Sequence, residues 1–220
     1  MIAAATKPAT VAARSQKLRA ASGGLASRDE LLWLAALLLG INFPLFVGSS
    51  GQAIAFTSGA VAAGEWWRLV THPFVHVSSY HFLLDGTAFV SLWSMIGGGF
   101  WRRVGCTVCS SIAALLTSLV WSEAVWNVGL CGLSGVAHGL AACVALDQLR
   151  SATSRGALVA SALGVAALIG KVSFELYTGG LAWSGWHLGE LGTPIVACHA
   201  GGLLGASLWW SINRALEREN

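Results

Sequence analysis

The sequence predicts an all-α membrane protein, a bundle of six transmembrane helices with its N- and C-termini in the cytoplasm. Three observations predict it. Hydrophobic residues make up 55% of the 220 residues and charged residues only 10%, whereas a soluble domain carries about 25% charged residues. The apolar residues fall into six stretches, and most of the lysines and arginines lie between alternate stretches. A chain of this composition cannot cover a surface that faces water.

Each of the six apolar stretches is interpreted as one transmembrane helix. They cover residues 31–48, 77–100, 104–121, 132–146, 156–174 and 194–212. A helix needs about 20 residues, within a range of about 17–25, to cross the hydrocarbon, and most of the stretches reach this length with their polar flanks. The fourth is short, so we expect its helix to begin within the membrane depth.

The orientation follows from the positions of the basic residues. If the N-terminus is cytoplasmic, eleven of the 13 lysines and arginines lie in inner segments. These segments are residues 1–30, 101–105, 147–155 and 213–220. The two others are Arg68, in the first outer loop, and Lys171, in the outer part of the fifth stretch. Cytoplasmic loops favour Lys and Arg, so an even number of spans with both ends inside is predicted.

The charge pattern also divides the chain into a basic cytoplasmic N-terminal tail (1–30), a six-span domain (31–213) and a short cytoplasmic C-terminal tail (214–220). The first 28 residues contain no acidic residue and are rich in Ala, Ser and basic residues. A mitochondrial transit peptide has this composition, and so has a short basic tail before a first span. We favour the tail, because the positive-inside rule already explains its charge.

The five cysteines predict no metal centre. Cys106 and Cys109 form a C-x-x-C at the start of the third stretch, but no second pair completes a zinc site. We therefore interpret both as small buried residues. Cys131 and Cys198 lie near the same outer level, and their position alone allows a disulfide between them.

Two polar residues within apolar stretches predict catalysis. Ser134 lies in CGLSGVAHGL (131–140) and His199 in ACHAGGLLGAS (197–207). A lone serine in a membrane helix commonly bonds its own backbone, and a lone histidine can be a packed core residue. Both stretches run inward from the outer face, however, so Ser134 and His199 share one depth. A hydroxyl nucleophile needs an adjacent base, and imidazole suits that role at neutral pH. The sequence therefore predicts a Ser–His dyad.

Small residues support the close approach that such a dyad requires. Gly135 and Gly139 form a Gly-x-x-x-Gly motif in the fourth stretch, and Gly201 and Gly205 form another in the sixth. This motif lets helix backbones approach closely. We expect the two glycine faces to meet.

A third catalytic group is not evident from spacing. Asp147 lies 13 residues beyond Ser134, about 20 Å along a helix and at the wrong face of the membrane. Glu175 and Glu190 lie on the outer side, without a fixed spacing to His199. A dyad is the simplest prediction.

The stretch WWRLVTHPFVHVSSYHFLLDG (66–86) is the other group of polar residues. Its tryptophans and arginine are typical of an anchor in the membrane interface. His72, His76 and His81 follow, and Asp85 lies four residues after His81, on the same helix face. Three histidines and a carboxylate are compatible with a metal site, but the remaining ligands are not evident. The alternative is an oxyanion hole, which aims donors at the negative oxygen of a tetrahedral intermediate.

These motifs together resemble the rhomboid family of intramembrane serine proteases, over nearly all of the chain after residue 30. The resemblance rests on Trp67-Arg68, on His76 and His81 with position 85, on Gly132-Leu133-Ser134-Gly135, and on His199 followed by Gly202. It implies a six-helix rhomboid bundle with a water-filled cavity that opens to the outside. It also implies that transmembrane proteins in the lipid bilayer are the substrates. No metal, cofactor or nucleic-acid partner is implied.

Residue roles follow from the same resemblance. Ser134 is implied as the nucleophile and His199 as the general base. The oxyanion hole is implied to consist of His81, the Ser134 backbone N–H and the residue at position 85, with His76 and Gly132 in support.

The bacterial rhombosortases resemble the chain most within the family. The residues that carry this resemblance are His138, in Gly-Leu-Ser-Gly-Val-Ala-His-Gly, and the pair Lys171 and Glu175. His138 occupies a position at which other rhomboids usually have an aromatic residue that packs on the catalytic histidine. The resemblance implies substrates with a C-terminal Gly-Gly motif, a hydrophobic span and a basic end, and a location in the bacterial inner membrane.

Position 85 departs from the family pattern, because Asp85 stands where asparagine is usual. An ionised carboxylate only accepts hydrogen bonds and would repel the oxyanion. Two interpretations remain: Asp85 is protonated and donates through its O–H, or it pairs with His81 and leaves the hole to other donors.

Two other function classes remain as alternatives. One is a catalytically inactive rhomboid-like protein that binds membrane clients, and the other is a transporter with a His and Asp proton relay. The presence of both Ser134 and His199 argues against the first. The lack of an internal repeat argues against the second.

Overall fold

Six long helices form most of a computed structural model that describes residues 24–49 and 51–219. They are α1 (Arg28–Asn42), α2 (Ser79–Met95), α3 (Phe100–Trp121), α4 (Ser134–Ser151), α5 (Arg155–Thr178) and α6 (Ala197–Glu219). Each overlaps one predicted stretch, so the all-α architecture is confirmed. Most of the predicted N-terminal tail, with four of its five basic residues, lies outside the described residues.

Three segments of the described chain are long and apolar enough to cross a membrane. They are Arg28–Val47, Phe100–Trp121 and Arg155–Thr178. The helix α2 is only 17 residues long, and α4 and α6 carry histidine, charged and glycine residues that lower their hydropathy. The chain is therefore a helical membrane protein, and six spans with both ends cytoplasmic stay a prediction.

The helix boundaries follow from local chemistry. Ser27, Ser78 and Ser154 precede α1, α2 and α5, and each hydroxyl accepts a backbone N–H of the first turn at 3.0–3.1 Å. Such N-caps satisfy one of the donors that a helix start leaves unpaired. Gly179 ends α5 with a φ of 69°, a left-handed conformation that costs glycine little.

The central helix is α6, which packs closely against α3 and α4. A Cβ at Gly202 would overlap the carbonyl oxygen of Gly135, and a Cβ at Gly139 would lie 2.6 Å from the carbonyl oxygen of Gly202. The glycine face predicted on α4 therefore does meet α6. The prediction that Gly201 and Gly205 of α6 meet α4 was wrong. These two glycines lie against α3, and Gly202 meets α4 instead.

The apolar core lies between α1, α2, α4 and the start of α3. Its buried members include Leu38, Phe82, Phe89, Trp93, Ile96, Leu133, Val136 and Leu140. This core holds the N-terminal turn of α4 against α2, and so places Ser134 beside the polar residues of α2.

The helix α5 packs on α4 at the edge of the bundle, and most of its side chains are exposed. Its apolar exposed surface suits a helix that faces lipid. Its buried residues are Val172 and Glu175. A fully buried carboxylate on a helix with an otherwise exposed apolar surface requires compensating partners.

All five cysteines are free, so Cys131 and Cys198 form no disulfide. Cys106 is buried as predicted, and its Sγ lies 2.7 Å from the Sγ of Cys143 on α4. Cys109 is half-buried, so the prediction of a buried residue is only partly right there.

Candidate active site

A cavity of about 960 Å³ lies where α4 and α6 begin. Most of the predicted site residues line it: His81 and Asp85 of α2, Ser134 and His138 of α4, and His199 of α6. Lys171 and Glu175 of α5, which the predicted site did not include, line it as well. The structure therefore brings together side chains that are more than 100 positions apart in the sequence.

The turn before α4 places Ser134 at the helix start. Gly132 has a φ of 100°, and a Cβ there would lie 2.9 Å from Cε1 of His81. Only glycine fits such a position, because other residues rarely adopt this φ and have no room for a side chain. Its N–H donates to the carbonyl of His72 at 3.2 Å. The predicted support residue Gly132 thus shapes the turn that presents Ser134.

The predicted support residue His76 bonds to the backbone of the same turn. It is 1% exposed, its Nδ1 lies 2.9 Å from Oδ1 of Asn42 on α1, and its Nε2 accepts the N–H of Leu133 at 3.4 Å. His76 therefore joins α1 to the residue that precedes Ser134. His72 begins a short 3-10 helix (His72–Phe74) ahead of α2, and burial lowers the pKa of His72 to about 4, so this imidazole is neutral at neutral pH.

The Ser134 hydroxyl faces Cys198. Its Oγ lies 3.6 Å from the Cys198 Sγ, and within the described residues it makes no direct hydrogen bond to His199. Catalytic hydrogen bonds are often long in the absence of substrate and tighten in the complex. The structure thus places Ser134 next to the residue that precedes His199, in one cavity.

His199 is held by a carboxylate that spacing did not identify. Its Nδ1 lies 2.8 Å from Oε2 of Glu175, and its side chain is only 5% exposed. A carboxylate accepts hydrogen bonds, so Nδ1 carries a proton in this pair. The other nitrogen, Nε2, is then the unprotonated one in a neutral imidazole. This is the tautomer that a general base needs.

His138 lies flat on His199. The two ring centroids are 4.0 Å apart and the ring planes differ by 16°. The Nδ1–H of His138 donates to the carbonyl of Ser134 at 2.7 Å, and its Nε2 accepts from Nζ of Lys171 at 2.9 Å. His138 therefore packs on His199 in the way that the family resemblance implied.

One group of described residues has the spacing of metal ligands: His138, Glu175 and His199 offer ligand atoms that all lie within 4.8 Å. Two features disfavour a metal there. The two rings are stacked, so their in-plane lone pairs cannot converge on one ion. In addition, the Lys171 ammonium already binds Glu175 Oε1 at 2.7 Å and His138 at 2.9 Å.

His81 and Asp85 face each other on α2, as their spacing predicted. The Nε2 of His81 lies 3.1 Å from Oδ2 of Asp85, and the Nε2 of His76 lies 3.6 Å from the same oxygen. His81 Nδ1 is buried and, among the described residues, has no hydrogen-bond partner. This arrangement supports the interpretation in which Asp85 pairs with His81.

Glu175 is the functional candidate that the sequence prediction of a dyad did not include. A signal for it was present, because Lys171 and Glu175 lie four residues apart at the end of an apolar stretch, and intramembrane charges are costly enough to indicate function. Asp147, by contrast, pairs with Arg102 at the other end of α4, so its exclusion by distance agrees with the structure.

A comparison with protein-family models agrees with the geometry. The Rhomboid domain matches residues 63–214, which include α2 to α5, most of α6 and every residue named above as lining the cavity. A search of curated proteins found no match. Because the domain covers more than half of the chain, the protein belongs to the rhomboid family, whose members are in general intramembrane serine proteases that act on transmembrane substrates.

Proposed function

We propose that the protein is an intramembrane serine endopeptidase with Ser134 as the nucleophile and His199 as the general base. The observation that carries this proposal is the hydrogen bond between Nδ1 of His199 and Glu175. It leaves Nε2 as the basic nitrogen of a histidine that shares a cavity with Ser134. A serine hydroxyl becomes a useful nucleophile only beside such a base.

The proposed reaction proceeds in two steps. The Ser134 Oγ attacks the scissile carbonyl while its proton passes to His199 Nε2, and His199 then returns that proton to the leaving amine. Water hydrolyses the acyl-enzyme by the reverse roles. In the present geometry Ser134 Oγ contacts Cys198, so a rotation of the serine side chain toward His199 accompanies substrate binding.

The proposed oxyanion hole lies at the start of α4. The backbone N–H of Ser134 belongs to the first turn, where N–H groups have no partner within the helix, and the positive end of the helix dipole favours a negative oxygen. His81 is the proposed side-chain donor. Its Nε2 faces Asp85 at 3.1 Å, so Nδ1 is the nitrogen left for the oxyanion, and Nδ1 donates when the ring carries both protons. The pairing supports a role for Asp85 in orienting His81 rather than in contacting the oxyanion.

We further propose that the protein lies in the bacterial inner membrane. All six helices cross this membrane, and both termini are cytoplasmic. Ser134 and His199 then lie near the outer face, because each is close to the outer end of its helix. The substrate helix must unwind there to expose a carbonyl, so the scissile bond lies at the outer boundary of the substrate span. Small or helix-breaking residues are favoured, because glycine leaves a helix most easily.

The proposed substrates are single-span proteins with a C-terminal Gly-Gly motif, a hydrophobic span and a basic end, as for rhombosortases. This proposal rests on His138 and on the Lys171–Glu175 pair, the residues that carry the likeness to that branch. In the structure His138 and Glu175 contact His199, and Lys171 binds both of them. The residues that carry the likeness to rhombosortases therefore contact the proposed base, which supports the proposal that this protein cleaves rhombosortase-like substrates.

Co-expression with a model substrate tests the proposal. The substrate is a single-span protein with Gly-Gly before the span and a basic tail, and its matched control has Leu-Leu in place of Gly-Gly. We expect cleavage of the Gly-Gly protein at the outer boundary of its span, and none with Ser134→Ala.

The outcomes separate the parts of the proposal. Equal cleavage of the Leu-Leu control would contradict the substrate class and leave the protease intact. A cleavage site in the cytoplasmic half of the span would contradict the topology. Failure of Ser134 to react with a fluorophosphonate probe, together with no cleavage of either substrate, would contradict protease activity itself.

A further inference from the structure

We propose that Glu175 is a positioning residue that completes a Ser134–His199–Glu175 triad. The inference rests on the proposed function, since it concerns how His199 is made ready to act as a base. It adds a carboxylate to a reaction for which the sequence predicted only a serine and a histidine.

The Glu175 carboxylate is buried, and its hydrogen bonds are filled. Its side chain is 0% exposed, and it accepts hydrogen bonds from three donors: His199 Nδ1 at 2.8 Å, Lys171 Nζ at 2.7 Å and the Ala182 N–H at 3.0 Å. A buried carboxylate is costly unless it is paired and hydrogen-bonded. Here the partners are present, and one of them is the proposed catalytic base.

The two carboxylate oxygens have separate partners. Oε1 binds Lys171 and Ala182, while Oε2 is left to His199 alone. Lys171 is one helical turn from Glu175 on α5, and Ala182 lies just beyond the end of that helix. The carboxylate is thus fixed by its own segment of the chain, and only Oε2 reaches across to α6.

Lys171 also fixes the other support of the imidazole. It donates to Nε2 of His138, whose ring lies 4.0 Å from that of His199. Glu175 therefore holds the Nδ1 edge of His199, His138 holds its face, and Lys171 joins the two supports. The imidazole has little freedom to rotate or to move its proton to Nε2.

The chemistry of the triad needs no further proton carrier. When Ser134 Oγ attacks, its proton goes to His199 Nε2, and the imidazolium keeps its Nδ1 proton. Glu175 remains ionised, takes no proton and stabilises the imidazolium by its charge. A neutral amide at position 175 would lose this charge and allow the wrong tautomer, while leaving the substrate-binding surface unchanged.

The test compares Glu175→Gln with Glu123→Gln in purified full-length protein reconstituted in lipid vesicles. Glu123 is an exposed carboxylate that does not line the cavity, so it is the matched control. We expect Glu175→Gln to lower kcat by about 10²–10⁴-fold, as loss of a triad carboxylate does, with KM within about threefold. Glu123→Gln should leave both constants unchanged. A purely structural role would instead reduce the amount of folded enzyme and leave its kcat intact.

A second variant covers the case in which Glu175→Gln does not fold because Lys171 is left unpaired. The double variant Lys171→Met/Glu175→Gln removes both charges, and its kcat then tests the triad. A kcat within about threefold of wild type, in either folded variant, would overturn the triad. If instead the wild-type protein neither cleaves nor reacts with a fluorophosphonate at Ser134, the proposed function fails, which is a different result from a fully active Glu175→Gln enzyme.

Discussion

Buried and half-buried charged side chains occur at both ends of the bundle, and the two clusters differ in whether they leave a basic atom free. The basic cluster, away from the cavity, consists of Arg102, Asp147, Trp210 and Arg214. Asp147 accepts two bonds from Arg102 at 2.8 and 2.9 Å, one from Trp210 at 2.8 Å and one from Arg214 at 3.0 Å. These bonds join α3, α4 and α6.

A second pair near the basic cluster has the same character. Arg103 donates two bonds to Glu30 at 2.8 and 2.9 Å, and Trp93 donates a third at 2.7 Å. It joins α1, α2 and α3. Bidentate pairs of this kind combine strength with a fixed geometry.

The cluster at the cavity, composed of His138, Lys171, Glu175 and His199, is equally well bonded but is not closed. Its bonds use Nδ1 of His199 and leave Nε2, and they surround a cavity rather than a packed core. Asp147 and Glu175 both have their hydrogen bonds filled by protein donors, so the difference is the His199 nitrogen that the second cluster leaves beside the cavity. A closed network of charges stabilises helix packing, whereas a network that leaves one basic atom beside a cavity can do chemistry.

The largest effect on activity is expected from removal of the proposed reacting groups at the cavity. We expect Ser134→Ala and His199→Ala each to reduce proteolysis to background, a loss of about 10⁴-fold or more, without unfolding the protein. The double variant should be no worse than either single variant, because the residues act as a unit. Cleavage rates and thermal unfolding of the three variants check this. Full activity in either single variant would contradict the dyad.

Asp147→Asn tests whether the basic cluster stabilises helix packing without a role in activity. It leaves two arginines with a neutral partner, so we expect a loss of about 2–3 kcal/mol in the free energy of unfolding, somewhat less than for a fully buried ion pair, because the Asp147 side chain is half-buried. The kcat of the remaining folded enzyme should not change. The control is Glu217→Gln, whose side chain binds Arg214 but is 41% exposed, and it should cost less than about 1 kcal/mol. A loss of kcat in folded Asp147→Asn would show that the basic cluster is coupled to the site.

Asp85 gives a smaller, directional effect on activity. We expect Asp85→Asn to keep or raise the rate at neutral pH, because an amide can donate to the oxyanion. Asp85→Ala should lower the rate modestly, because His81 loses the partner at 3.1 Å that orients it. The pH–rate profiles of wild type and both variants on one substrate make the comparison. If Asp85→Asn were as inactive as Ser134→Ala, the carboxylate would have an essential role that neither interpretation assigns to it.

The smallest expected effect concerns the stacked ring. His138→Phe keeps an aromatic face on His199 and loses the bond to Lys171, so we expect the rate to stay within about threefold of wild type. His138→Ala removes the face as well and should cost about tenfold, since an aromatic pair contributes about 0.5–1.5 kcal/mol. Steady-state rates of the two variants measure the difference. Equal rates for the two would show that the stacking has no role.

The sequence by itself determined the helices and pointed to the residues at their ends. Apolar stretches of span length predict where helices form whatever their neighbours, and the four-residue spacing of His81 and Asp85 places both on one face of α2. These are local properties, because residues within one helix keep a fixed relation to each other. Ser134 and His199 were predicted to share a depth for the same reason, since each lies near one end of its helix.

Only the tertiary structure decided which faces meet. The rotation of each helix about its own axis brings Gly202, rather than Gly201 and Gly205, against α4, and turns Glu175 of the lipid-facing α5 inward to His199. A rotation of one residue, about 100° in a helix, would exchange these contacts without changing the composition of either stretch. The sequence therefore predicted a serine and a histidine, and the packing of α4, α5 and α6 supplied the carboxylate.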